Sequence, residues 1–426
     1  RRSSDLSVNQ IKYGSILILM ISFVIIKFQL NFGIINTLLS LFLILILIGI
    51  YCFYEFIKNL KGAGFVEEWH DLYGEKITDI PYFNENNKII NSFKKDGKNY
   101  NHELGEINKG KDYEKNDRNY YDLFIPYSSI KRKDKYNRII LFIHGGGWEH
   151  LNKGYIIHCS IRYAKYGYIT AQMNHSYLSK GNKHISIFKI LDEITACLEN
   201  IKLKLKNMGF DENKLELAIG GASSGAHLSL LYGYSMKNIP LPLKFLINIT
   251  GPLSLEPKYW YKLGKNVSPL DNIDNINIDN LIKEKKIVEL YKNDYYYLDL
   301  MNKFVGNKYS DKELKEMMNN NKINYDNEKY KDLNNIVKYA YPINLINENS
   351  VPTLCFYGGT DTTIGIIHYY YLKKISEKFG NELDLVYMKN GGHFLLDYKT
   401  KEGMNSIKEM NYQILNYAKT YFTHDN

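Results

Sequence analysis

Between Leu215 and Leu231 the chain reads LELAIGGASSGAHLSLL: a short apolar run from Leu215 to Ile219, the cluster Gly221-Ala222-Ser223-Ser224-Gly225, then a helix-like run from Ala226 to Leu231. A strand that turns this abruptly into a helix crowds its own backbone, and glycines on either side of the corner tolerate the crowding. The residue at the apex is pushed outward, which predicts Ser223 on a sharp strand-to-helix corner facing solvent. Strand, corner and helix in immediate succession point to an α/β architecture.

A second glycine cluster, His144-Gly145-Gly146-Gly147-Trp148, lies about 75 residues upstream and also follows an apolar run, Ile139 to Ile143. Two further strand-like runs come later. Pro352 to Tyr357 leads into Gly358-Gly359-Thr360-Asp361, and Leu383 to Met388 leads into Gly391-Gly392-His393. Serine, aspartate and histidine thus follow in that order, each just past the C-terminal end of a strand, which is the chain order of a nucleophile-elbow hydrolase. The chemistry asks for these residue types. A serine hydroxyl attacks only when an imidazole takes its proton, so His393 is expected as general base and later as general acid, with Asp361 fixing its tautomer. The negative oxygen of the tetrahedral intermediate needs N–H donors, expected from Ser224 and from Gly145, Gly146 and Gly147, whose missing side chains leave the backbone accessible.

These motifs resemble the hormone-sensitive-lipase-like branch of the α/β-hydrolases, and within it isoprenylcysteine methylesterases and kynurenine formamidases, which carry HGGxW-type loops. Tyr121-Asp122-Leu123-Phe124-Ile125-Pro126 is similar to the early strand that usually reads LDxYxP. The resemblance covers roughly residues 119 to 420 and implies a mostly parallel central sheet flanked by helices. It also implies a helical cap, here enlarged, over about residues 257–341. Two departures bear on substrate choice: Ala222 stands where many relatives carry Asp or Gln, and Asn174-His175-Ser176-Tyr177-Leu178 stands where relatives usually show a Tyr-Arg-Leu run.

Other residues of the same segments have quieter expected roles. His144 is expected to orient the glycine loop by hydrogen bonds, and His227 to pack or cap the helix after the elbow. Trp148 either lines an acyl site or anchors its loop. Asp384 and Asp397 rival Asp361, but the first falls mid-strand and the second follows His393. Asp192 is expected on a helix that braces the loop.

With 426 residues, 45% of them hydrophobic, the chain is long enough for one large core plus an N-terminal appendage. The expected organisation is a membrane anchor over 1–60, a linker over 61–118 and a catalytic domain over 119–426. From Tyr13 to Ile26 and again from Phe28 to Tyr54 no residue is charged, which predicts two membrane-spanning helices in a hairpin. Arg1, Arg2 and Lys12 before it, and Lys58 and Lys61 after it, place both ends and the catalytic domain on the cytosolic side, at an endomembrane such as the endoplasmic reticulum. No small-residue cleavage site follows the first segment, which weighs against a signal peptide, and Arg1 in place of Met leaves the true start open.

The net charge of +9 comes from lysines scattered among asparagines and acids rather than gathered with aromatics, so no nucleic-acid partner is expected. The 38 tyrosines and the Asn-Lys-Ile bias make Asn84–Asn116 and Asp271–Asn293 read as solvated insertions or partly disordered loops. Four cysteines without metal-like spacing are expected as free thiols, with no metal and no cofactor. The resulting expectation is a membrane-anchored serine esterase of small or lipid-like carboxylic esters. A formamidase-like amide hydrolase or a catalytically silent scaffold is the alternative, and the oligomeric state is left open.

Overall fold

The computed structural model describes residues 22, 39, 42–53, 68–82, 118–180, 185–265, 267, 268, 270, 277–380, 383–395 and 401–424. The chain divides into two units, Arg1–Gly62 and Ala63–Asn426.

In the larger unit the strands are β1 (Gly74–Pro81), β2 (Tyr120–Pro126), β3 (Asn137–Ile143), β4 (Ile169–Met173), β5 (Leu215–Ala222) and β6 (Leu243–Ile249), followed by the short β7 (Tyr261–Leu263), β8 (Ile287–Glu289), β9 (Met318–Asn319) and β10 (Lys322–Ile323), then β11 (Thr353–Gly358) and β12 (Leu383–Met388). Eight of them form one sheet in the order β1-β2-β4-β3-β5-β6-β11-β12. The β1/β2 and β2/β4 pairings are antiparallel and the rest are parallel. Every parallel strand therefore ends on the same edge.

Alternation along β3 shows how the sheet is buried on both faces. Ile139, Leu141 and Ile143 join the core on one side, and Ile140 and Phe142 the core on the other. The second face is covered by α1 (Ile157–Lys165) through Cys159 and Tyr163. The first face is covered by α2 (Ile187–Asn207) through Ile190, Ile194 and Leu198, and by α3 (Ser224–Ser235) through Leu228 and Leu231. Strands enclosed on two sides read as unbroken apolar runs, which is why Ile139–Ile143 stands out in the sequence.

The long β6–β11 connection carries α4 (Tyr295–Phe304) and α5 (Glu328–Val337). It is not purely helical, because β7 with β8 and β9 with β10 form two antiparallel pairs within it. Asp271–Asn293, expected as a solvated loop, holds a helix at Ile278–Lys283 and the strand β8 from residue 277 onward. The Asn277 side chain caps that helix and Ile287 is 1% exposed, so local capping and one buried anchor order an otherwise polar stretch. Beyond β11 lie α6 (Ile367–Phe379) and α7 (Lys401–Tyr421), and Ile407, Ile414 and Tyr417 of α7 complete the cover opposite α2.

The expected insertion Asn84–Asn116 lies outside the described residues. So do most of the two expected membrane segments. In the smaller unit residues 42–53 are helical, with Leu43, Leu45 and Leu47 more than half exposed. Among the described residues no helix is long and apolar enough to cross a membrane. Cys159, Cys197 and Cys355 are buried free thiols and Cys52 is an exposed one.

Candidate active site

Ser223 links β5 to α3 with φ 55° and ψ −125°. This is a strained backbone for a residue with a Cβ, at a cost of roughly 1–3 kcal/mol that the surroundings must hold in place. They do so by close packing. A Cβ on Gly225 would lie 2.1 Å from the Ile143 carbonyl oxygen, and one on Gly221 would lie 2.3 Å from the Gly225 carbonyl carbon. Gly225 thus lets the start of α3 lie directly against the end of β3, and Gly221 lets the end of β5 lie directly against the start of α3. The Ser223 N–H donates to the Ile249 carbonyl at 2.9 Å, tying the corner to β6. Ser223 stands at the corner, yet only 7% of it is exposed. The β6–β11 connection, expected as a cap, reaches this edge, where Ala340 meets His227 of α3 and Phe304 meets Trp148.

Asp361 and His393 come together past the ends of β11 and β12. His393 Nδ1 donates to Asp361 Oδ2 at 2.8 Å. Asp361 Oδ1 accepts the N–H groups of Thr363 at 2.7 Å and Ile364 at 2.9 Å, so both carboxylate oxygens are engaged and the group is fixed. The two loops are knitted by backbone: Thr360 donates its N–H and its hydroxyl to the Gly391 carbonyl, and a Cβ on Gly358 would fall 2.2 Å from that same oxygen. The aspartate side chain is fully buried while the imidazole is 20% exposed. Of its rivals, Asp384 is an exposed mid-strand residue of β12 and Asp397 lies outside the described residues.

The loop after β3 turns through positive φ at Gly146 (120°), Gly147 (61°) and Trp148 (64°). Among the described residues no acceptor takes the N–H groups of Gly145, Gly146 or Gly147. Ser224 opens α3, so its N–H belongs to the unpaired first turn of a helix. These are the four donors that the sequence singles out. Trp148, expected either beside the substrate or as an anchor, is 3% exposed, with its indole N–H on His227 Nδ1 at 3.3 Å.

Behind the loop sits a layer of polar groups that carries no motif. His144 Nδ1 donates to the Gly145 carbonyl at 2.7 Å, and its Nε2 faces Arg118 Nη2 at 3.3 Å. The same guanidinium donates to the Leu151 carbonyl at 2.9 Å and to the His175 carbonyl at 3.2 Å, and lies 3.9 Å from the centre of the Tyr177 ring. One side chain therefore ties the first and last residues of the loop to the segment after β4, where relatives usually show a Tyr-Arg-Leu run. The His144 and His175 rings stack at 4.5 Å. Burial pushes His144 down to about 4 and His175 well below its usual value, so both imidazoles are neutral at pH 7. On α2 the residue that braces this segment is Glu193, which accepts Ser176 N–H at 2.8 Å and its hydroxyl at 2.5 Å, while burial pushes the adjacent Asp192 up to about 8.

Replacing Arg118 with methionine keeps an aliphatic stem and removes every loop contact of the guanidinium. The expected result is a fall in kcat on the order of 10- to 100-fold with little change in KM, since misplacing donors by about 1 Å has that effect on rate. Lysine, lacking the planar fork, should not restore it. Steady-state kinetics of the two variants on one soluble ester checks this, and a change confined to KM would contradict the role.

Comparison with known proteins places this geometry in context. The BD-FAE family model matches residues 122–375. Esterase B from Lactobacillus rhamnosis has a solved structure that is 12% identical with a TM-score of 0.50, covering 88% of this chain and 95% of that one. A truncated carbohydrate esterase from gut microbiota is 14% identical with a TM-score of 0.48, covering 82% and 99%. A thermophilic esterase of Thermogutta terrifontis is 14% identical with a TM-score of 0.46, covering 74% and 95%. No curated protein matches by sequence. At such identities the first of these likenesses shows the α/β-hydrolase fold.

Proposed function

The chain belongs to the BD-FAE family and is a serine carboxylic-ester hydrolase, and from that premise we propose that Ser223, His393 and Asp361 are its catalytic triad and that its substrates are esters of amphiphilic, lipid-like molecules. The observation that carries the triad is the 2.8 Å Asp361–His393 bond on the same sheet edge as the strained Ser223 corner. With Asp361 holding the proton on Nδ1, Nε2 is the nitrogen that acts as base. It takes the Ser223 hydroxyl proton as Oγ bonds to the ester carbonyl carbon. The carbonyl oxygen gains the negative charge and is met by the N–H groups of Gly145, Gly146, Gly147 and Ser224. Collapse expels the alcohol, which takes the proton back from Nε2 and leaves an acyl group on Ser223. Water, deprotonated by the same nitrogen, then releases the acid.

The lipid-like class is favoured by the N-terminal unit, whose 42–53 helix presents Leu45, Leu47 and Phe53 more than 60% exposed. Apolar surface of this kind suits a bilayer better than water. We place the catalytic unit on the cytosolic face of an endomembrane, in keeping with the basic flanks at Arg1, Arg2, Lys12, Lys58 and Lys61. The substrate test compares p-nitrophenyl esters of increasing acyl length and a prenylcysteine methyl ester, with and without lipid vesicles. The expected outcome is a kcat/KM that rises with acyl length and with the vesicles. Activity confined to a small soluble amide such as N-formylkynurenine would overturn the proposal and favour a formamidase.

A further inference from the structure

His227 lies four residues past Ser223 on α3 and is 1% exposed. Its Nδ1 accepts the indole N–H of Trp148 at 3.3 Å, so the ring proton sits on Nε2, which donates to the Ala340 carbonyl at 2.9 Å. Burial pushes this imidazole down to about 4, which keeps the single neutral tautomer at physiological pH. Trp148 needs the support. It directly follows the three loop glycines and has a φ of 64°, a conformation that a bulky L-residue adopts only when its surroundings impose it. Its indole meets the His227 ring edge-on at 5.2 Å and the Phe304 ring at 5.0 Å. Its neighbour Glu149 pairs with Lys303. Phe304, Lys303 and Ala340 all belong to the β6–β11 connection, so the glycine loop meets that segment directly through Phe304 and Lys303 and, by way of His227 on α3, through Ala340.

We propose that His227 is a positioning residue: by linking Trp148 to Ala340 it holds the Gly145–Gly147 N–H groups in place and makes their arrangement depend on how the β6–β11 connection is seated. This rests on the reading of that loop as the oxyanion-binding element. An imidazole that only filled space would be replaced at little loss by an apolar side chain of similar size. One that joins a donor to an acceptor would not be.

The test has two readouts. In Ser223→Ala protein labelled with 15N-tryptophan, three indole N–H resonances are expected, and Trp148→Phe identifies the one in question. That resonance should move toward the position of a free indole when His227→Leu is added, and an unmoved resonance would overturn the link whatever the identity of the nucleophile. In protein with Ser223 intact, His227→Leu should lower kcat on the order of 10- to 100-fold with KM little changed. Trp148→Phe, which keeps an aromatic ring and loses only the donor, should do the same, and the double variant should be no worse than either alone because the pair acts as a unit. His227→Gln, which offers both an acceptor and a donor, should restore most of the rate. Full activity in both His227→Leu and Trp148→Phe would refute the proposal. If His227→Leu does not fold, Trp148→Phe and the glutamine variant decide it. Retention of activity by Ser223→Ala would instead overturn the triad, and with it the oxyanion reading that depends on it, and leave the resonance test standing.

Discussion

Ser223→Ala is expected to lower kcat by a factor on the order of 10⁴ to 10⁶ while leaving KM and the thermal midpoint close to those of the parent. The acceleration comes from the covalent step, and alanine cannot form the ester. At about 1.36 kcal/mol per factor of ten, the loss corresponds to roughly 5–8 kcal/mol of transition-state stabilisation. The fold should not respond, because alanine occupies the same strained corner and the close contacts of Gly221 and Gly225 are untouched. His393→Ala should fall as far, and Ser223→Ala with His393→Ala only slightly further. Additive losses would mean that the two residues do not share a step.

Asp361→Asn should lower kcat by a factor on the order of 10⁴ without unfolding the protein, and the hydrogen bonds explain why so small a change is so costly. Oδ1 is committed to accepting the N–H groups of Thr363 and Ile364, so an asparagine there must keep its oxygen toward them and turn its NH2 toward His393. His393 Nδ1 then becomes an acceptor and the ring proton moves to Nε2, where the base was needed. The measurement is kcat at neutral pH with KM as the control. An Asp361→Asn enzyme within tenfold of the parent would show that the pair in the structure is not the one that works.

The residues that sequence alone could place are those set by strand ends. Ile139–Ile143 announces itself because a parallel strand covered on both faces needs apolar side chains throughout, whereas the edge strand Leu383–Met388, with Asp384 exposed, is marked mainly by the Gly391-Gly392-His393 that closely follows it. The Asp361–His393 contact spans 32 residues but was legible because both lie just past the ends of neighbouring parallel strands. Arg118 was not legible. It stands between Asp117 and Asn119 at the end of a polar stretch, and its partners His144, Leu151 and His175 lie 26, 33 and 57 residues away on other elements. His227 looked like an ordinary packed residue because a helix pattern shows which face is buried and not what that face touches. Its two partners are Trp148, 79 residues before it, and Ala340, 113 residues after. The helices of the β6–β11 connection agree with the expected cap, but its two strand pairs and the order within Asp271–Asn293 were not legible, for a related reason. Its strands of two or three residues are too short to leave a period, and tertiary contacts such as that of Ile287 order them.

The most direct test of the central claim is to react the purified protein with a fluorophosphonate probe and map the adduct by peptide mass spectrometry. The account predicts one modified residue, Ser223, with labelling and esterase activity lost together in Ser223→Ala and labelling sharply slowed in His393→Ala. Modification of a different serine, or undiminished ester hydrolysis by Ser223→Ala, would contradict it.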